Sequence, residues 1–217
     1  MEFLHILLDN ENMKEIKAVL FDLGGVIIDV EYQNTIDAFT DLGVKNASDL
    51  YNQFNQSRLF DAFEIGNVSS DYFIEQLSAL VHHSIHKEHI VDAWNAMIGE
   101  FPIEKLDLIQ QISSKAPCYM LSNTNEIHLK KAMNALKKTP YSELELLFKK
   151  CYFSHLIGKR KPEPDTFRWV ANQLGMLTED ILFIDDSPQH IEGAQKTGMQ
   201  TVFYRSIRDI ERIKELV

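Results

Sequence analysis

Five short apolar runs constrain the fold of this chain more than any other feature. The first, Ala18 to Phe21, lies in the stretch Lys17-Ala-Val-Leu-Phe-Asp22-Leu-Gly-Gly-Val-Ile-Ile-Asp29. A continuous apolar run of this length is typical of a strand that is buried on both faces. The carboxylate of Asp22 follows the run at once, and two glycines then turn the chain. Because a buried charge is costly without a partner, Asp22 either begins an ordinary turn or is held there for chemistry.

The other four apolar runs lie in the second half of the sequence, where they alternate with segments of helical periodicity. They cover residues 118–121, 151–153, 181–184 and 201–204. Strands that alternate with helices of about ten residues indicate right-handed crossovers and a parallel, doubly wound sheet. The sequence therefore predicts an α/β, Rossmann-like fold with a five-stranded parallel core sheet.

A long segment without any strand pattern separates the first two runs. Residues 31–102 have apolar residues at helical spacing; Gly43 ends the first predicted helix and Asn46 can cap a second one. Pro102 ends this block, which we predict to be an inserted helical cap. The expected domains are a catalytic core at 13–30 and 103–217, the helical cap at 31–102, and an N-terminal extension at 1–12.

Charge and composition restrict the partners and the compartment. The chain has 22 Lys and Arg against 32 Asp and Glu, a formal charge of -10, which argues against nucleic acid but allows a small phosphorylated ligand. Cys118 and Cys151 lie in apolar runs and are predicted to be buried hydrophobes in a reducing compartment. The apolar start at 3–8 is too short to span a membrane and lacks the basic flank of a signal peptide. We expect a cytoplasmic protein without a membrane partner, and no sequence feature indicates an oligomeric state.

Polar residues that could take part in catalysis or ligand binding follow four of the predicted strands. They are Asp22, Ser122, Lys161 and the pair Asp185-Asp186. Loops after parallel strands gather along one edge of the sheet, where open α/β folds bind their ligands. Each residue alone has an ordinary interpretation, such as a helix cap for Ser122 or an exposed lysine for Lys161. Together they predict one crevice.

The motifs around these residues resemble those of the haloacid dehalogenase (HAD)-like hydrolase superfamily, from Lys17 to Tyr204. The four motifs are Phe-Asp-Leu-Gly-Gly-Val-Ile, Leu-Ser-Asn-Thr-Asn, Arg-Lys-Pro-Glu-Pro and Asp-Asp-x-x-x-x-Ile-Glu-Gly-Ala. They resemble most closely the branch that contains a glucose-1-phosphate phosphatase; the phosphatase domain of soluble epoxide hydrolases is a more distant likeness. The resemblance implies a Mg²⁺-dependent phosphatase that hydrolyses a small phosphorylated metabolite, such as a sugar phosphate.

The resemblance also implies catalytic roles. Asp22 would attack phosphorus and become an aspartyl-phosphate, which divides hydrolysis into two easier displacements. Lys161 would offset the charge of the phosphate, and Ser122 with the backbone N–H of Asn123 would hold phosphate oxygens.

A metal site is implied at the same edge. Its expected ligands are Asp22, the backbone carbonyl of Gly24 and Asp186, with Asp185 alongside. Hard oxygen ligands of this kind suit Mg²⁺. Two adjacent aspartates at a strand end would also repel each other without a cation.

Two positions depart from the family pattern. Gly24 stands where most phosphatases of the superfamily have an aspartate that serves as general acid and base, a group that typically contributes about 10²–10⁴-fold to the rate. Asp29, His190 or a water molecule could act instead, and an anomeric or acyl phosphate would suffer least from the change. His190 itself stands where relatives usually have Asn or Asp. These departures leave room for a pseudo-phosphatase that only binds a ligand or partner.

Two other reactions within the superfamily are also possible. A haloacid dehalogenase needs no metal, which would leave the Asp185-Asp186 pair without a role. A phosphonate hydrolase needs a Schiff-base lysine from the cap, where Lys45 and Lys87 are the only lysines.

Several conspicuous residues of the cap have simpler interpretations. Arg58 is expected in a surface salt bridge and Trp94 in the core of the helical block. The histidines of the cap are expected on a solvated helical surface rather than at a metal; they are His82, His83, His86 and His89.

Overall fold

The computed structural model describes residues 15–48, 58–79, 81 and 85–217. Several predictions fall outside these residues, namely the N-terminal extension at 1–12, residues 49–57, where the helix that Asn46 can cap would continue, and the positions of His82 and His83. None of the helices among the described residues is both long and apolar enough to cross a membrane.

Five parallel strands form one sheet, as the sequence predicts. They are β1 (Ala18–Phe21), β2 (Cys118–Ser122), β3 (Lys150–Phe153), β4 (Ile181–Asp185) and β5 (Gln200–Phe203). Their order across the sheet is β3-β2-β1-β4-β5. Each observed strand end lies within one residue of the predicted end, because the apolar runs are short and sharply bounded by polar residues.

The central strand β1 fixes the position of the crevice. Phe21 at its end pairs with Met120 of β2 on one side and with Ile184 of β4 on the other. From β1 the chain first builds the sheet toward β3 and later returns to add β4 and β5 on the opposite side. The strand order therefore reverses beside β1, and a ligand crevice opens at the carboxyl ends of β1 and β4.

Ten helices surround or extend this sheet within the described residues. Those of the insert are α1 (Tyr32–Asp41), α2 (Arg58–Glu64), α3 (Ser70–Ser78) and α4 (Lys87–Asn95). Those that follow are α5 (Ile103–Ser113), α6 (Glu126–Leu136), α7 (Ser154–Ile157), α8 (Pro164–Leu174), α9 (Pro188–Gln195) and α10 (Ile207–Leu216). Short 3-10 turns lie at Leu144–Leu146 and Thr178–Asp180. Residues 142–145 match the capping-box pattern Ser-x-x-Glu, but this segment forms only the first 3-10 turn, whose N-cap is Glu143 and makes no side-chain bond.

Both faces of the sheet are covered. All four side chains of β1 are fully buried, as a strand inside a doubly wound sheet requires. Val19 and Phe21 join a core with residues of α5, α6 and α10. Ala18 and Leu20 point the other way and pack with residues of α8 and α9. Alternate residues of one short run thus hold the two helical layers to the sheet.

The insert has a hydrophobic core of its own. Helices α1 to α4 contribute Phe39, Phe63, Phe73 and Trp94 to it, and the rings of Phe63 and Phe73 stack with centroids 4.1 Å apart. Trp94 is 1% exposed, which confirms its predicted place in this core. Arg58, His86 and His89 are exposed.

A buried histidine joins the insert to the sheet domain. The ring of His128, in α6, stacks on that of Trp94 with centroids 4.8 Å apart. Its Nε2 lies 3.0 Å from the carbonyl oxygen of Trp94, and its Nδ1 lies 3.2 Å from Nδ2 of Asn125. Since the Asn125 amide nitrogen is a donor, Nδ1 accepts and Nε2–H donates, so the imidazole is neutral. Burial lowers the pKa of His128 to about 4.

We expect this histidine to make stability depend on pH. Its folded-state pKa of about 4 lies below the ordinary 6.5, so the unfolded chain binds a proton first as the pH falls. Its contribution is complete above about pH 6.5 and declines toward pH 4, by about 3 kcal/mol in the free energy of unfolding. Urea unfolding of the wild type and of His128→Gln across this range measures the slope, which should be smaller in the variant. The exposed His89→Gln is the control and should keep the wild-type slope; equal slopes in His128→Gln and wild type would contradict the expectation.

Candidate active site

The predicted site residues meet at the carboxyl edge of the sheet. Asp22 directly follows β1, Ser122 ends β2 and Asp185 ends β4. Lys161 comes from the loop between α7 and α8. These side chains are almost fully buried, with exposed fractions of 6% for Asp22, 3% for Ser122 and 0% for Lys161 and Asp185. Direct contacts join Lys161 to Asp22 and to Asp185, whereas Ser122 lies at the same edge through its place at the end of β2.

The ammonium group of Lys161 joins two strands. Its Nζ lies 2.7 Å from Oδ1 of Asp22 and 2.7 Å from Oδ2 of Asp185. Burial works to lower the pKa of Lys161, but the two carboxylates outweigh it and raise the pKa. Lys161 therefore carries its charge in a fully buried position, because it pairs with two anions at once.

The loop that carries Lys161 is clamped by Asn123. The Asn123 side chain accepts a hydrogen bond from the Lys161 backbone N–H at 2.9 Å and donates one to the Lys161 carbonyl at 2.8 Å. On the other side, a Cβ at Gly193 of α9 would lie 2.1 Å from the carbonyl oxygen of Pro162, so only glycine permits this close approach. The family resemblance implied a role for Asn123 only through its backbone N–H, and no sequence pattern indicated this side-chain clamp.

The two adjacent aspartates have different surroundings. Both oxygens of Asp185 are engaged by donors: Lys161, the backbone N–H of Ser187 at 2.8 Å and Nδ1 of His190 at 2.9 and 3.0 Å. Asp186 instead faces the crevice, where its Oδ2 would lie 2.0 Å from a Cβ on Gly25. Gly25 also has a φ of +75°, so the turn after β1 needs glycine for its backbone and for its space.

Negative charge exceeds positive charge at this edge. Burial, and then the negative charge of Asp185, raise the pKa of Asp22 against the opposing effect of Lys161. Burial and Asp185 likewise raise the pKa of Asp186. Asp185 is the exception: burial would raise its pKa, but the charge of Lys161 and the hydrogen bond from His190 hold it at about 2. Three carboxylates share one buried ammonium, and a divalent cation would balance the two negative charges that remain.

The residues present fit a hard divalent cation. Asp22, Gly24 and Asp186 line one cavity of about 370 Å³, and they offer carboxylate and carbonyl oxygens, which Mg²⁺ prefers. Atoms of Asp22, Asp185 and His190 also lie within 4.8 Å of one another. However, Lys161 already contacts the carboxylates of Asp22 and Asp185. A metal ion therefore fits better beside Asp186 than between Asp185 and His190.

The cavity also has walls that the sequence analysis did not anticipate. The described residues that line it are Asp22, Gly24, Tyr32, Phe60, Glu64, Asn123, Arg160, Asp186, Ser187 and His190. Tyr32, Phe60 and Glu64 come from α1 and α2 of the insert, so the helical block reaches the crevice. Arg160 is the first residue of the Arg-Lys-Pro-Glu-Pro motif and precedes Lys161 directly. This position is the sequence signal that could have identified it. Nothing in the local sequence distinguishes Glu64 from other helical acidic residues.

Two candidates for the missing acid differ in position. His190 is among the described residues that line the cavity. Asp29 lines a neighbouring hollow of about 460 Å³, to which Asp186 also contributes; its side chain is 63% exposed and pairs with Lys105 Nζ at 3.1 Å. The structure thus brings His190 to the cavity that contains Asp22, and Asp29 to a hollow that shares Asp186 with that cavity.

Comparison with known proteins agrees with this architecture. A sequence profile of haloacid dehalogenase-like hydrolases matches residues 16–198. The chain is 30% identical over 186 residues to D-ribitol-5-phosphate phosphatase of Bacteroides thetaiotaomicron, across 86% of this chain and 90% of that protein.

Solved structures of similar proteins share the fold. A HAD family enzyme from Bacteroides thetaiotaomicron in a magnesium complex superimposes with a TM-score of 0.82 at 30% identity, covering 88% of this chain and 94% of that one. The same enzyme with magnesium and inorganic phosphate gives a TM-score of 0.80. A HAD-like hydrolase from Porphyromonas gingivalis gives 0.76 at 32% identity, with coverages of 87% and 91%. On the profile match and this likeness, the chain belongs to the haloacid dehalogenase-like hydrolases.

Proposed function

We propose that this protein is a Mg²⁺-dependent phosphatase that hydrolyses a small sugar or polyol phosphate through an aspartyl-phosphate on Asp22. The observation that carries the proposal is the buried ion pair of Lys161 with Asp22 and Asp185, beside Asp186. It supplies one cation next to the proposed nucleophile and leaves an excess of negative charge that a divalent ion would balance. The two magnesium complexes of the similar HAD family enzyme from Bacteroides thetaiotaomicron support the same choice of metal.

Asp22 begins the reaction as a nucleophile. Its carboxylate oxygen forms a bond to phosphorus while the ester P–O bond breaks, and the leaving oxygen takes a proton from His190 or from a water molecule, which replace the aspartate missing at Gly24. Water then attacks the acyl phosphate, which releases phosphate and restores Asp22. Lys161 stabilises the charge at Asp22, and Ser122 with the backbone N–H of Asn123 would hold phosphate oxygens.

The proposed metal ligands are Asp22, the Gly24 carbonyl and Asp186. When bound, Mg²⁺ would polarise the phosphoryl group and offset its charge. Asp185 was expected alongside these ligands. Because both of its oxygens accept hydrogen bonds, we assign it the task of holding Lys161 and His190 in place.

We also propose the domain boundaries expected from the sequence. The core would comprise 13–30 and 103–217, and residues 31–102 would be a helical cap that closes on the crevice and excludes water. The separate hydrophobic core of the insert supports this division. So does the presence of Tyr32, Phe60 and Glu64 in the cavity wall.

The substrate is proposed from the cavity and the relatives. A volume of about 370 Å³ lies near the lower end of ligand pockets, which span about 300–1,000 Å³, and therefore suits a small metabolite. The relative that acts on D-ribitol 5-phosphate favours a polyol phosphate, whereas the motif resemblance and Gly24 favour an anomeric sugar phosphate such as glucose 1-phosphate. Both classes have a neutral leaving group rich in hydroxyls.

The first test removes the nucleophile and the metal. We expect Asp22→Asn to lower kcat by on the order of 10⁴-fold or more, because no carboxylate is left to attack phosphorus. EDTA should abolish turnover and added Mg²⁺ should restore it. The assay measures phosphate release from D-ribitol 5-phosphate, glucose 1-phosphate and p-nitrophenyl phosphate, with the exposed Asp41→Asn as the matched control. Turnover that survives EDTA or Asp22→Asn would refute the mechanism, and a complete lack of turnover would favour a binding protein.

A second test supplies the missing acid. A Cβ at Gly24 would meet Val30 Cγ2 at 3.4 Å, an ordinary contact, so Gly24→Asp should be accommodated. We expect it to raise kcat/KM for alkyl phosphates by about 10²-fold, since their basic leaving groups need a proton. The p-nitrophenyl ester, whose leaving group needs none, should gain little. Gly24→Asn matches the size without an acidic proton and should show no gain; an equal gain in both variants would contradict the reasoning.

A further inference from the structure

The cavity has one end for the phosphate and another for the leaving group. Asp22, Gly24, Asn123 and Asp186 come from the carboxyl edge of the sheet and form the proposed phosphate and metal end. The rest of the substrate must then lie against the walls from α1, α2 and the loop before Lys161. Two charged groups of that region line the cavity, Glu64 and Arg160.

Glu64 and Arg160 form a partly satisfied pair between the insert and the core. Arg160 Nη2 lies 2.9 Å from Glu64 Oε2, and Arg160 Nη1 pairs with Asp61 one turn earlier on α2. The Glu64 side chain is only 12% exposed. Within the described part of the chain, Glu64 Oε2 and Arg160 Nε are buried and have no hydrogen-bond partner, so the close approach of Nη2 is an ion pair without hydrogen-bond geometry.

These two buried atoms require a particular kind of ligand. A carboxylate oxygen accepts hydrogen bonds and a guanidinium N–H donates them, and leaving either group buried without a partner is unfavourable. A hydroxyl group satisfies both, because it donates to the one and accepts from the other. A second carboxylate or phosphate on the substrate has no proton to donate to Glu64 and is repelled by it. An apolar leaving group satisfies neither atom.

Resting on the proposed phosphatase activity, we infer that Glu64 and Arg160 bind a hydroxyl of the leaving group and select neutral, polyhydroxylated phosphate esters over esters that carry a second anionic group. Glu64 supplies the discrimination, since it accepts from a hydroxyl and repels an anion. Arg160 orients that hydroxyl and holds Glu64 toward the cavity. The pair is thus a specificity determinant that the insert and the core build together.

The test compares two substrates with the same kind of ester. D-ribitol 5-phosphate and 2-phosphoglycolate are both esters of primary alcohols, but the second has a carboxylate in its leaving group. We expect the wild type to favour the polyol ester. Glu64→Gln should lower the ratio of the two kcat/KM values by at least about tenfold, as the loss of a hydrogen bond to a charged group implies.

Arg160→Lys should lower the ratio as well, because lysine keeps the charge but has no Nε–H. Glu75→Gln, at an exposed position of α3, is the matched control and should leave the ratio unchanged.

Binding provides an independent measurement. In Asp22→Asn protein with Mg²⁺, the additional change Glu64→Gln should weaken the binding of D-ribitol 5-phosphate about tenfold, as measured by calorimetry, and leave the binding of inorganic phosphate unaffected.

The inference is overturned if Glu64→Gln lowers kcat/KM equally for both esters, as loss of a general acid would, or if the ratio and the polyol affinity do not change. The phosphatase proposal survives that outcome as long as turnover still requires Asp22. If the wild type hydrolyses no phosphate ester, both fail. Circular dichroism and thermal unfolding establish that each variant is folded.

Discussion

The ammonium group of Lys161 is the contact on which the rest of the structure depends. It lies 2.7 Å from carboxylates at the ends of two adjacent strands, and all three groups are nearly inaccessible to water. Removing one partner of a buried ion pair typically costs about 3–5 kcal/mol. The Asn123 clamp and the glycine at 193 act together on the loop that presents this lysine. Much of the local architecture therefore serves to keep one charge in one place.

That arrangement stabilises the fold without completing the charge balance. One ammonium matches one carboxylate fully, whereas Asp22, Asp185 and Asp186 bring three. Burial is the main cause of the raised pKa of Asp22 and of Asp186, and the negative charge of Asp185 adds to it. A site of this kind favours a divalent cation, and it keeps the nucleophile in an environment where water does not screen its charge. Stability and reactivity thus have the same electrostatic origin.

The sequence predicts the sheet and its edge well because the information there is local. A buried strand such as Ala18–Phe21 is apolar throughout, and the polar residue that ends it is visible one position later. The partner of Glu64 is 96 positions away in the chain, so no local pattern reveals it. The side-chain clamp of Asn123 is hidden for the same reason. The Ser142-x-x-Glu145 pattern is local too, yet it forms no capping box, since the segment makes only a single 3-10 turn with Glu143 as its N-cap.

The division between two hydrophobic cores explains how one chemistry can be combined with a particular choice of substrate. The phosphate end is built from strand ends whose positions are fixed by the sheet. The opposite wall is built from α1 and α2, which pack in the core of the insert instead. A change in that wall therefore leaves the ends of the strands in place. Since Arg160 is adjacent in sequence to Lys161 and pairs with α2, it transmits the position of the insert to the loop that holds the reactive charge. Recognition of the leaving group and placement of the cation are coupled through these two consecutive residues.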